Sequence, residues 1–220
     1  GELLVTYHPG TNFHVEEYLE RNGMETVLPR ITYQFRKDFQ AANSEIRDFG
    51  AHLAPYSFAL DAAVEGIQRY LERIAAAHPL YHKAPRPQDL YAGVSSIIPK
   101  TLTCGEGWLM AGEIAHYAHQ GVRSFIILQP FGCLPNHVCG RGVTKRLKEL
   151  YPGVQILPLD LDPDTSYANV ENRLQMLIMN VRMDQEERSR TQNETRRPNE
   201  AQADETQSVT GHRAAETKAG

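Results

Sequence analysis

Cysteine, tryptophan and long apolar runs are what this 220-residue chain has least of, and each shortage excludes something. Its three cysteines, Cys104, Cys133 and Cys139, are too few and odd in number for a disulfide framework, and they point to a reducing, cytoplasmic compartment. No stretch joins a basic start to an apolar centre and a small-residue cleavage site, as a secretory signal would. The longest apolar runs fall far below the ~18 residues that suggest a membrane span. Charge of one sign is missing too. A net charge of −4, from 23 basic and 27 acidic side chains, gives no field that would draw nucleic acid or a membrane surface. The glycines fit neither G-x-G-x-x-G nor G-x-x-x-x-G-K-[ST], and no G-x-S-x-G elbow occurs, so neither a standard nucleotide site nor a serine-hydrolase elbow is supported.

What is present suits one ordered domain with a tail. From Asp184 onward, "DQEERSRTQNETRRPNEAQADETQSVTGHRAAETKAG" holds one large aliphatic residue, Val209, and no aromatic. Such a stretch has little to bury against the entropy of ordering, so residues 184–220 are expected to be disordered and residues 1–183 to form an α/β module. The chain opens at Gly1 directly into strand-like "ELLVTYH" with no preceding cap, and the module is therefore expected to be the C-terminal piece of something longer.

Periodicity supplies the elements. "ELLVTYHPGTNFHVEEYLERNGMETVLP" reads as a strand, a Pro-Gly turn, a helix from about Thr11 ended by Gly23, and a second short strand. Apolar residues at Leu60, Ala63, Val64, Ile67, Tyr70, Leu71 and Ile74 follow the i, i+3, i+4, i+7 rule of an amphipathic helix, with Ser57 as its N-cap. The proline-rich segment around Pro85, Pro87 and Pro99 reads as a surface excursion. Beyond it come a helix from Trp108 to Gln120 closed by Gly121, a buried strand "SFIIL", a helix from Val138 to Leu150, a strand "VQILPL" and a helix from Tyr167 to Val181. Pro158 marks the last strand as an edge or as ending there. Strands alternating with helices predict a Rossmann-like, flavodoxin-like fold: a mostly parallel sheet with helices on both faces.

Two turns carry the chemistry. "QPFGCLPNHVCGRG" lies between a strand and a helix, where open α/β sheets bind ligands, and it holds Cys133, His137 and Cys139. A thiolate is favoured at such a turn, yet a free cysteine often only packs. The Cys133, His137, Cys139 set is a weak zinc motif because a second close ligand pair is missing. "TCGEGWL" is a similar turn with Cys104, where Glu106 reads as a helix-dipole partner. In "LDLDPDTS", Asp164, Thr165 and Ser166 read as helix caps, and at most one of Asp160 and Asp162 is expected to face any given site.

"GEGWL", "LQPFGCLPNHVCGRG" with "KRLKELYPG", and "LDLDPDTSYANVENRLQMLI" resemble the C-terminal part of acyl-CoA dehydratase activase-related proteins, which are similar to 2-hydroxyglutaryl-CoA dehydratase subunits and their activator. The likeness covers roughly residues 1–183. It implies a four-iron four-sulfur cluster in the full-length protein, ATP-coupled low-potential electron transfer, and upstream domains or a dehydratase or activator as partners, with acyl-CoA as substrate. Cys133 matches the cluster-ligating cysteine that follows a strand of the last domain in such subunits. The cysteine those subunits carry after the module's second strand has no counterpart in "TVLPRITYQFRK", and Cys104 and Cys139 match no family ligand position, so that Cys104, Cys139 and His137 stand only as additional candidate ligands beside Cys133. The resemblance thus places dehydratase or activase chemistry in the longer protein, not in this chain alone. The alternative expectation is a Rossmann-like scaffold or binding module that holds no cluster.

Overall fold

The computed structural model describes residues 2–51, 56–79, 81–99, 102 and 104–216, with the backbone alone described for 192–216. Nine α-helices stand among the described residues: α1 Leu3–Tyr7, α2 Val15–Arg21, α3 Ile31–Phe49, α4 Tyr56–Ala75, α5 Pro87–Val94, α6 Leu109–His119, α7 Leu134–Cys139, α8 Thr144–Leu150 and α9 Tyr167–Glu216. Two strands, β1 Ser124–Pro130 and β2 Gln155–Leu161, complete the fold. The architecture is mixed α/β, mostly helical, with one small parallel sheet. Among the described residues, no helix is long and apolar enough to cross a membrane.

The sheet forms where it is expected. β1 and β2 pair in parallel register from Ser124 opposite Gln155 to Pro130 opposite Leu161, and the connection between them runs through α7 and α8 as a βαβ unit. Pro158 sits opposite Ile127 and leaves its missing donor harmless, because β2 has a single strand neighbour. The Pro158 carbonyl accepts from the Arg173 guanidinium at 2.7 Å. Ile127, Ile156, Leu147, Trp108, Ile114 and Leu90 belong to the buried core against which this unit is built.

Several expected elements change type. "ELLVTYH" is the helix α1, not a strand: the Glu2 backbone N–H reaches the Leu128 carbonyl at 3.2 Å, and the Glu2 carboxylate then caps the Val5 N–H at 3.1 Å and turns the chain into a helix. A short apolar run does not choose between helix and strand by itself. The buried Asn12 side chain donates to the Val5 carbonyl at 2.9 Å and ties α1 to the start of α2. α2 begins later than expected, at Val15, and Gly23 follows its C-cap at φ +80°. Residues 24–30 form no strand, so the first βαβ unit is absent and the sheet stays at two strands.

The proline-rich excursion contains α5, started by Pro87 at its first position, with Leu90 and Val94 buried. α6 and the Gly121 that follows it, at φ +97°, match expectation. Where one helix from Val138 to Leu150 is expected, the chain makes α7, a 3-10 turn over Arg141–Val143, and α8. The break falls at Gly140, whose Cβ, were it present, would stand 2.6 Å from the Asn136 carbonyl and 3.3 Å from Ile127. That close packing admits only glycine.

α3, which the sequence reading leaves unassigned, pairs antiparallel with α4. Their paired face is polar. The guanidinium of Arg36, 1% exposed, bonds Asp61 at 2.7 Å and Glu65; Thr32 donates to Gln68 at 3.2 Å, Ser57 donates to Asn43 at 2.6 Å, and Arg30 meets Glu72. Ser57 is thereby a buried contact inside α4, not its cap, and the apolar stripe expected to face the core is open, with Ile67 at 61% exposure. Burial of the opposite face follows from the ionic partners α3 offers there.

Contacts divide the chain at Arg173 into Gly1–Arg173 and Leu174–Gly220, ten residues before the boundary expected from composition. The second unit is the continuation of α9, in which Leu174, Leu177 and Ile178 are buried. The helix carries on through the segment expected to be disordered, where the Glu, Arg, Gln and Ala content favours a helix and Pro198 does not. No side chain from Gln185 to Thr191 is packed, as the composition requires, and the side chains beyond Thr191 lie outside the described residues.

Candidate functional site

The two turns singled out in the sequence meet at the carboxyl end of the sheet. β1 delivers Gln129, fully buried, and then the tight turn at Gly132, φ +75°, before Cys133 caps α7. From the other side comes the turn at 104–107, held by the buried Lys37 ammonium, which donates to the Gly105 carbonyl. Gly105 lies at φ +59°, and a Cβ there would stand 2.7 Å from Pro135. Both the backbone angle and the contact demand glycine. Thr103, at the start of this turn, lies outside the described residues.

Asn136 joins the turns. It is fully buried, and its amide donates to Glu106 Oε2 at 3.0 Å and to Cys133 Sγ at 3.1 Å. Glu106, 8% exposed, is thus a buried hydrogen-bond acceptor before it is a dipole partner. Cys133 is part-buried, Cys104 exposed and Cys139 buried. Burial pushes the Cys139 thiol above its usual range, and the nearby Cys104 and Glu106 push it further. Cys139 packs in the core.

A second cluster closes the strand ends. His137 Nδ1 donates to the Cys133 carbonyl at 2.8 Å, and its Nε2 stands 3.5 Å from the Gln129 amide. Asp160, at the end of β2, accepts from Gln129, lies 3.4 Å from His137 Nε2 and pairs with Arg141 at 2.8 Å. Asp162 points elsewhere and accepts from the Asp164 N–H at 2.8 Å, while the Thr165 hydroxyl accepts from the Asp162 N–H at 2.9 Å. One aspartate of the pair therefore faces the site, but strand alternation is not the reason: residues two apart share a face of an extended strand, and the two part because β2 ends at Leu161 and Asp162 enters the turn before α9.

The structure brings Cys104, Cys133, Cys139 and His137 into one neighbourhood but not onto one point. The His137 ring turns to the strand ends, and Cys139 faces the core. Among the described residues, no three His, Cys, Asp or Glu side chains stand together as metal ligands would. A four-iron cluster needs about four ligands converging on one volume, and no such set stands together among the described residues. The sequence reading names neither Asn136 nor Gln129 nor Arg141. Asn136 stands three residues after Cys133, where a helical turn returns a side chain to its cap, and that spacing is a usable signal. Gln129 and Arg141 become visible only once Asp160 is placed beside them. Comparison with protein-family models, with curated proteins and with solved structures finds no match for this chain.

Proposed function

We propose that this chain is a thiolate-presenting module of an acyl-CoA dehydratase activase-related protein. In it, Cys133 is one ligand to a four-iron four-sulfur cluster whose other ligands come from upstream domains or a partner. The observation that carries this reading is the placement of Cys133: a part-buried thiol at the carboxyl end of β1, held by one amide donor from Asn136, beside an exposed and a buried cysteine less suited to the task. When bound, the cluster supplies a low-potential electron for acyl-CoA chemistry driven by ATP hydrolysis. This chain's own residues fix the thiol: Asn136 sets the direction of Sγ, Glu106 sets Asn136, and the His137 to Cys133 carbonyl bond fixes the backbone under it. Three free thiols suit a reducing cytoplasm. The β1–α7–α8–β2 unit serves in this proposal as the nucleus of a larger Rossmann-like sheet.

Anaerobic purification of a longer polypeptide that carries this sequence tests the reading. Iron and sulfide should be present there and lost in Cys133→Ala, while the isolated chain, reconstituted with iron and sulfide, should hold no stoichiometric cluster. A cluster that survives Cys133→Ala, or one assembled by this chain alone, would sink the proposal. A second reading, a scaffold without a cluster, is favoured by the donors from Gln129 and Arg141 that converge on Asp160 and cross-link the strand ends. It predicts a colourless, iron-free protein in the same experiment.

A further inference from the structure

The α3–α4 hairpin is built inside out. Arg36, Asn43, Ser57 and Gln68 are buried between or beside the helices, whereas Ile31 and Phe35 of α3 and Ile67, Tyr70, Leu71 and Ile74 of α4 are 49% to 63% exposed. The bonds from Arg30 to Glu72, Thr32 to Gln68 and Ser57 to Asn43 fix an antiparallel pairing. At about 3.6 residues per turn, the apolar positions of each helix lie roughly a quarter-turn from its paired positions, in the same rotational sense. In an antiparallel pair, equal offsets bring both stripes to one side. The other side carries Tyr33 and Lys37, which reach the Pro85 and Gly105 carbonyls. The hairpin is therefore a layer with one face on its own unit and one apolar face open.

We propose that this open face is the docking surface for a second copy of the same chain, hairpin on hairpin, related by a twofold axis. The chemistry of the face selects the occupant. From Tyr56 to Ile74 the α4 stripe carries no charge, so its partner must be equally apolar over nearly α4's full length, about 30 Å. The face itself offers such a surface along α4, widened by Ile31 and Phe35 of α3, while the exposed Asp38 and Glu45 share the α3 part of it. Two stripes set about 10 Å apart make a platform of roughly 600 Å². Two platforms together bury roughly 1,200 Å², the lower bound for a stable specific interface. A patch of this size stands at the upper end of what monomers expose, and patches of that size often carry function. Ala59, Ala63 and Gly66 flank the stripe, and the space where a Gly66 Cβ would stand is empty, so a facing helix can approach closely.

Sedimentation velocity of the full chain across about 1 to 100 μM, a range that brackets a micromolar dissociation constant, tests the proposal. The expected result is a concentration-dependent dimer that becomes monomeric in Ile67→Glu and in Leu71→Glu, with the circular dichroism of the unaltered chain. In the unaltered chain, amide exchange over residues 60–74 should slow as concentration rises, a readout that depends on no variant folding. A chain that stays monomeric across the range, a dimer that survives both substitutions, or exchange over 60–74 that ignores concentration would each overturn it. Protection of α4 seen only within a longer polypeptide would show that another domain occupies the face, and would overturn it as well.

Discussion

Around β1 the interior is apolar, with Ile127, Leu147 and Trp108 closed off, and the polar groups collect at the strand ends, where Asp160 is met by Gln129, His137 and Arg141. In the α3–α4 hairpin the order is reversed: Arg36 and Gln68 are buried, and Ile67 and Leu71 are open. The first arrangement is stabilised chiefly by removal of apolar area from water, with polar groups left where donors converge on them. The second is held by a buried cation and its two carboxylates, an arrangement that gains little over well-packed apolar residues but is costly to break. The difference teaches that amphipathic periodicity marks a helix and its apolar face, but not which face its own fold covers.

The comparison breaks most visibly at its two ends. Trp108→Ala should cost about 3–5 kcal/mol, as for large aromatic truncations in a core. Ile67→Ala, measured in the dilute chain, should stay within about 0.5 kcal/mol, as for an exposed position. Denaturant titration of both variants checks the pair, and equal losses would mean that α4 is packed in the monomer. Arg36→Ala should cost about 3 kcal/mol, since it leaves Asp61 without its cation and Glu65 with only the exposed Arg69. A neutral result there would show that the ionic face does not hold the hairpin.

Glu113 sharpens the contrast from the apolar side. On α6, burial raises its carboxyl to about 7, and one of its oxygens has no hydrogen-bond partner. The folded chain therefore holds this proton more tightly than the unfolded one. Below about pH 4.5 both states are protonated and Glu113 contributes no pH dependence; as pH rises towards 7 the unfolded chain alone ionises and stability falls, by about 3 kcal/mol in all. Glu113→Gln should remove that decline, so that the variant melts higher than the unaltered chain at pH 8 and alike at pH 4. An unchanged slope would mean that Glu113 has a partner in solution.

The smallest effect concerns the thiols. Alkylation should modify Cys104 fastest, Cys133 more slowly and Cys139 only on unfolding, in keeping with their exposure and with the raised Cys139 thiol. Mass spectrometry of timed samples reads the order, and rapid modification of Cys139 would show that α7 opens away from the core.

The elements with long or doubly bounded patterns were legible in the chain itself: "SFIIL" and "VQILPL" as parallel strands, the helix closed by Gly121, the helix through Val170 and Leu174, and the turn that presents Cys133. Their signals are local, because a periodic apolar face and a glycine at positive φ act within a few residues. The tertiary structure decided the rest. "ELLVTYH" became a helix because Glu2 caps it beside Leu128, and the predicted long helix after Cys133 broke at Gly140 because Ile127 and Asn136 crowd it. Cys104 met the Cys133 turn because Lys37, far away in sequence, holds the Gly105 carbonyl. Which side of α4 was covered depended on whether α3 offered it an apolar or a charged face, and Arg36 supplied the charge. Such outcomes are set by pair energies between distant residues, which a pattern along one segment does not contain.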